Sequence, residues 1–118
     1  MSNIAIIEDI LKNFRYKPGY RINWSYFDDM LRLHIEFRVP DAVDPKHPMV
    51  TITHNNSLNV GELNHVNDVK GFFIHWLWEK IQKAEIHEAG EWFEINGSKP
   101  FYPMGSHAGE EYEQRHRA

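Results

Sequence analysis

The amino-acid sequence predicts a single α+β domain, and three observations carry that prediction. Apolar and polar residues alternate strictly along segment 31–39, as in a strand with one buried face. Large apolar residues recur at helical spacing from Asp68 to Gly90. Cysteine is absent and 42% of the 118 residues are hydrophobic, which favours a packed core over a disulfide scaffold. We therefore expect a short N-terminal helix, a three-stranded antiparallel sheet, a long C-terminal helix and a C-terminal β-hairpin.

The first elements are bounded by capping and turn residues. Ser2 or Asn3 caps a helix that we expect from Ile4 to Phe14, and Pro18-Gly19 ends it. A first strand follows over Tyr20–Tyr26. The helix presents one apolar stripe, formed by Ile6, Ile7, Ile10, Leu11 and Phe14.

The remaining strands are predicted as a meander. Asp28-Asp29 is a polar break suited to a turn, and Leu31–Val39 is the second strand. Met49–His54, with its β-branched residues, is the third. We expect loops over Pro40–Pro48 and Asn55–Asn64.

The long helix is expected to begin after an Asn67 N-cap and to end near Gly90, since glycine commonly marks a helix C-terminus. Trp92–Tyr102 then has the form of a hairpin with Asn96-Gly97 in a type I′ turn. We expect residues 1–103 to form the domain and 104–118 to form a flexible tail.

Composition argues against several classes of function. The formal net charge of −4 gives no support to a broad grip on nucleic acid. There is no secretory signal pattern and no apolar run of membrane-spanning length, so we expect a cytoplasmic protein without membrane association. No phosphate-binding loop, dinucleotide fingerprint or nucleophile elbow occurs.

The C-terminal third carries a more specific pattern. The stretch Glu85–Gly97, which contains His-Glu-Ala-Gly-Glu-Trp-Phe, is followed by Pro100-Phe101-Tyr102-Pro103. It resembles a signature of small proteins from tailed bacteriophages and prophages. The resemblance implies phage origin, with a place in the host cytoplasm or the virion, and lends no activity. That family often has Asp-Pro-His where this chain has Tyr102-Pro103-Met104, so a site built from that acid and imidazole would be absent.

Three sets of residues are candidate sites. His87 and Glu91 lie four apart on a helix, a spacing that can bind a divalent metal, with Glu88 as a candidate base. The favoured alternative is that these three residues cap the helix end and hold the hairpin, without any cofactor. A second set forms a candidate anion-binding face: Arg21, Arg32, His34, Arg38, Thr51 and Thr53. Its alternative is a solvated face whose charges pair across strands, for instance Glu36 with a neighbouring arginine.

The third set is aromatic. Most aromatic residues of the long helix are expected in the core, but Phe72 and Trp78 do not both fit one buried stripe, which indicates an exposed patch or an oligomer contact. Taken together, the sequence favours a non-enzymatic binding protein of phage origin with a protein partner or a second copy of itself. The alternative is a metal-dependent enzyme that uses His87, Glu88 and Glu91.

Overall fold

The computed structural model describes residues 2–41 and 49–97. Its three strands form one antiparallel sheet in the order β1-β2-β3. This confirms the predicted α+β class, N-terminal helix, three-stranded sheet and long helix. The elements are α1 (Asn3–Asn13), β1 (Arg21–Phe27), β2 (Met30–Pro40), β3 (Met49–Asn59), a 3₁₀ helix (Val60–His65) and α2 (Val69–Asn96).

The β1–β2 hairpin closes through the predicted polar turn. Asp28 and Asp29 have φ angles of 53° and 63°, the left-handed conformation that a type I′ turn requires at both central positions. Aspartate tolerates this conformation better than most residues because its short side chain bonds locally. The flanking pair Phe27 and Met30 then sets the register between β1 and β2.

The core lies between the sheet and the helices. Five alternate apolar residues within segment 31–39 of β2 are at most 1% exposed, which confirms the alternation seen in the sequence. Burying each of these side chains stabilises the fold by about 1.5–3 kcal/mol. They are Leu31, Leu33, Ile35, Phe37 and Val39.

The third strand is longer than predicted. Asn55–Asn59 was expected to be a loop, but it continues β3 and pairs with Met30–His34 of β2. Asparagine and serine are poor strand formers, so the prediction from composition was wrong here. Main-chain pairing with a long neighbouring strand outweighs that weak local preference.

Both ends of α2 differ from prediction. The N-cap is Asp68 rather than Asn67, because the Oδ1 atom of Asp68 accepts a hydrogen bond of 2.9 Å from the Gly71 amide. The helix also runs through Gly90 and ends at Asn96, and Gly97, with φ of 72°, forms the C-cap. Gly90 is therefore an interior residue of the helix.

Tertiary contacts explain why the helix continues. Trp92 is buried against Phe37 and Val39, and Asn96 donates a hydrogen bond of 2.7 Å to the Pro40 carbonyl. Segment Trp92–Asn96, the expected first arm of the hairpin, is thus helical. The rest of that hairpin, from residue 98 to 102, and the predicted tail over 104–118 lie outside the described residues.

The buried stripe of α2 turns around the helix axis. Its buried residues follow one another at intervals of four, with a single interval of three: Val69, Phe73, Leu77, Ile81, Ala84, Glu88, Trp92 and Asn96. Each interval of four advances the buried direction by about 40° on an ideal helix. The first part of the stripe joins the core shared with α1, whereas Trp92 packs on the far end of β2. This path carries Glu88 over the end of the sheet.

Candidate ligand cleft and polar sheet face

The strand register places the predicted anion-binding residues on one face of the sheet. They occupy the alternate positions that point away from the core. Arg21, Glu36 and Thr53 form one row across the three strands. Other rows are Asn23, His34 and Asn55, then Ser25, Arg32 and Ser57, with Arg38 beside Thr51.

The arginines of this face lie open to solvent. Arg21, Arg32 and Arg38 are exposed, and none forms an ion pair with another residue of the described ranges. Glu36 is the cross-strand neighbour of Arg21, yet the two side chains are not joined by an ion pair. The example of a cross-strand pair between Glu36 and a neighbouring arginine is therefore not formed within the described residues, and the choice between a binding face and a solvated face stays open.

A cleft opens at one end of this face, where β1 stops. Because β1 begins at Arg21, opposite Glu36, the segment Phe37–Pro40 of β2 has no strand partner on that side. The gap holds a cavity of about 550 Å³, within the range typical of small-molecule sites. Its walls include Tyr20, Arg21, Phe37, Arg38, Thr51 and Glu88.

Glu88 is a buried carboxyl group in the wall of this cleft. It is 2% exposed, and its Oε1 atom accepts a hydrogen bond of 2.7 Å from the Tyr20 hydroxyl. Burial raises the pKa of Glu88 above its ordinary value, although the Tyr20 hydrogen bond opposes that shift. Burial and the same hydrogen bond raise the pKa of the Tyr20 hydroxyl, so it remains a donor.

A second carboxyl group nearby is already paired. Glu85 accepts hydrogen bonds from the Tyr16 hydroxyl and from the Lys17 ammonium, and the latter is an ion pair of 2.5 Å. Burial and Glu85 together raise the pKa of the Tyr16 hydroxyl. The nearest lysine is therefore held by Glu85, whereas the hydrogen bond to Glu88 comes from a neutral phenol.

The predicted metal ligands lie on a different side of α2. The Nε2 atom of His87 is 3.2 Å from Oε1 of Glu91, and its Nδ1 atom is 3.0 Å from Nδ1 of His54 on β3. Burial lowers the pKa of His54, and His87, Lys80 and Lys83 lower it further. Within residues 2–41 and 49–97 no three His, Asp or Glu side chains are grouped to hold a metal ion.

This arrangement corrects the roles expected from the sequence. The described hydrogen bond of Glu88 is to Tyr20, whereas His87 contacts Glu91 and His54, so Glu88 is not joined to the His87–Glu91 pair. The alternative of a helix end is wrong as well, because His87, Glu88 and Glu91 lie well inside α2. The metal site itself stays a prediction.

The two aromatic candidates differ in their surroundings. Trp78 is 44% exposed but contacts Phe14 and Tyr16 edge-on, with ring centroids 5.5 and 5.8 Å apart, so it covers the end of α1. Phe72 is 40% exposed. Of the two, Phe72 is the better candidate for an exposed contact residue.

The helical spacing of the sequence contains a signal for the burial of Glu88. An apolar stripe at Leu77, Ile81 and Ala84 leads directly to position 88, so a carboxyl group falls where the next core residue belongs. A buried acid of this kind is a candidate functional group. The contribution of Tyr20 carries no comparable signal, because it depends on how the chain turns at Pro18-Gly19.

Comparison with known proteins assigns no relative. No protein-family model, curated protein or solved structure matches this chain. In the part of the chain that the structure describes, no helix is both long and apolar enough to cross a membrane.

Proposed function

We propose that this chain is a non-enzymatic binding protein of phage origin that recognises an acidic protein partner with the open face of its sheet. One observation carries the proposal: three exposed arginines share a face with His34 and two threonines, and none of the arginines is paired within the described residues. Arginine presents a planar set of donors that fits carboxylates bidentately. The proposed partner is a local acidic surface rather than a nucleic acid, because three arginines in a chain of net charge −4 do not form the extended basic surface that a phosphate backbone requires.

The proposal of phage origin has a separate basis. It is supported by the resemblance of Glu85–Gly97 to small phage proteins. Such a protein acts as a virion accessory component or as an early protein that engages a host factor. The genes beside its own distinguish these roles, since structural genes accompany the first and early genes the second.

Charge reversal on the sheet face tests the binding function. The tagged protein is used as bait in lysates of phage-infected bacteria, and the captured partner is purified and titrated by calorimetry. Arg32→Glu with Arg38→Glu is expected to weaken that binding at least tenfold, and added salt is expected to weaken the wild-type complex. Lys12→Glu with Lys70→Glu makes the same change in net charge away from the face. Equal affinity of both double variants would remove the sheet face from consideration.

A metal-dependent enzyme is the second candidate, and the contact between His54 and His87 is the observation that favours it. Their Nδ1 atoms are 3.0 Å apart, close to the separation of about 3.3 Å for two nitrogens on one tetrahedral zinc at about 2.0–2.1 Å each. Zinc, manganese or nickel should then raise the melting temperature of the wild type but not of His87→Ala. His75→Ala, an exposed histidine of the same helix, is the control. No metal in the purified protein and no thermal shift would exclude this candidate.

A further inference from the structure

The cleft at the end of β1 combines three chemical features that face one space. Its walls contain a buried acid, two exposed arginines and apolar surface from Phe37 and Met49. A cavity lined by apolar surface and a few convergent polar groups is the usual form of a small-molecule site. The polar groups here carry opposite charges in different parts of the cavity.

The acid is the buried polar group of the cleft. Glu88 is 2% exposed and receives its hydrogen bond from a neutral phenol. The neighbouring ammonium of Lys17 is paired with Glu85. A buried carboxylate is costly unless a cation or several donors compensate it. A ligand ammonium group next to Glu88 would supply that compensation.

The arginines define the other end of the ligand. Arg21 and Arg38 line the outer part of the cleft from β1 and β2, with the Thr51 hydroxyl beside them. Glu36 lies between the two arginines in the register, so the local surplus is a single positive charge. That surplus fits one carboxylate rather than a polyanion.

We propose that this cleft binds a small amphoteric molecule, with an ammonium group at Glu88 and a carboxylate at Arg21 and Arg38. Phe37 and Met49 contact the apolar body between the two charges. The site shares Arg21 and Arg38 with the sheet face but does not depend on an acidic protein partner, because its distinguishing group is Glu88.

Titration with matched probes tests the proposal. The probes are 4-aminobutanoate, 6-aminohexanoate and free α-amino acids, with hexylamine and hexanoate as molecules that carry only one of the two charges. Binding is followed by amide chemical shifts of the ¹⁵N-labelled protein. At least one two-charge probe is expected to bind at least tenfold more tightly than both one-charge probes, with shifts centred on Gly19, Tyr20 and Phe37. Equal affinities, or no shifts at millimolar concentration, would overturn the proposal.

Variants identify the groups that bind. Glu88→Gln keeps the shape and an acceptor for Tyr20, and it is expected to weaken the preferred probe at least tenfold. Arg38→Gln should weaken it as well. Arg32→Gln lies on the same strand and face but outside the cleft, so it should leave the affinity unchanged. Unchanged probe affinity in Glu88→Gln would refute the cleft site even if the sheet face binds an acidic protein. Loss of protein-partner binding in Arg32 variants concerns the sheet face and leaves the cleft proposal intact.

Discussion

Tyr20 and Glu88 are joined by a hydrogen bond of 2.7 Å although 68 positions separate them in the chain. The bond ties the residue before β1 to the second half of α2 and forms one wall of the cleft. Glu88 is almost fully buried, so loss of the Tyr20 hydroxyl removes the hydrogen-bond donor of a buried carboxyl group. The contact is therefore expected to matter both for stability and for the shape of the cleft.

Removal of the Tyr20 hydroxyl measures that contact. Tyr20→Phe leaves the Glu88 oxygen without its donor and is expected to lower the free energy of unfolding by about 1–3 kcal/mol. Urea denaturation at neutral pH measures the change. Tyr26→Phe is the matched control, because its hydroxyl bonds to Asp29 at 3.0 Å on an exposed turn and its loss should cost about 0.5 kcal/mol or less. Equal losses in the two variants would contradict the structural role of Tyr20.

The pH dependence of stability should reveal the buried acid. Burial raises the pKa of Glu88 in the folded state. The contribution of Glu88 to the free energy of unfolding is therefore fully present below the unfolded pKa of about 4.3, and it is lost as pH rises through the folded pKa. Glu88→Gln removes this loss, and the variant should gain stability relative to wild type between about pH 4 and about pH 7. Urea midpoints across that range test it.

An exposed carboxyl group provides the control for this pH profile. Lys83 lowers the pKa of Glu79 by a hydrogen bond and by its charge. The contribution of Glu79 to the free energy of unfolding is present above its unfolded pKa and is lost as pH falls. Glu79→Gln should therefore change the pH profile of stability in the sense opposite to Glu88→Gln. Solvent screens this exposed pair, which makes the effect smaller. Parallel profiles for Glu88→Gln and wild type would refute the buried acid.

His54 should contribute to instability in mild acid. Burial and three positively charged or titratable neighbours lower its pKa in the folded state. The unfolded chain therefore takes up a proton more readily below a pH of about 6.5, and stability falls as pH falls. His54→Asn is expected to flatten the decline in melting temperature from about pH 7 to about pH 5. His75→Asn, at an exposed position of α2, is the control, and the same slope in wild type and His54→Asn would count against the assignment.

Alanine substitutions at Gly90 and Gly97 test which of the two lies inside α2 and which one caps it. Gly90 is exposed inside α2 and a Cβ there would meet no atom within 4 Å, so Gly90→Ala should stabilise the protein by about 0.5–1 kcal/mol. Gly97 has φ of 72°, a conformation that alanine rarely adopts, so Gly97→Ala should destabilise it by about 1 kcal/mol. Thermal denaturation measures both. Destabilisation by Gly90→Ala would indicate that the helix ends near Gly90 after all.

The N-terminus of α2 permits a similar pair of substitutions. Asp68→Ala removes the acceptor for the Gly71 amide and should cost about 1 kcal/mol. Asn67→Ala removes no capping bond and should change the free energy of unfolding by less than about 0.5 kcal/mol. The reverse order of the two effects in urea denaturation would show that Asn67 is the N-cap.

Local sequence patterns were sufficient for much of the fold. Segment 31–39 alternates in the sequence and has one buried face in the structure because side chains of a strand point to opposite sides by geometry. The same alternation, extended to the neighbouring strands, correctly placed Arg21, Arg38 and Thr51 on one face. The alternation along each strand depends only on residues close together in the chain, whereas the shared face also requires the three strands to pair.

The sequence alone therefore determined most of the helices and strands of this protein and the direction in which each one presents its side chains. The tertiary structure decided where α2 ends, since Gly90 favours a stop locally but burial of Trp92 and the bond from Asn96 to Pro40 continue the helix. It also decided the role of Glu88. The sequence motif suggested that Glu88 acts with His87, whereas in the folded protein Glu88 bonds to Tyr20. Residues four apart on a helix share a face by geometry alone, whereas a contact across 68 positions exists only once the sheet and the helix have packed.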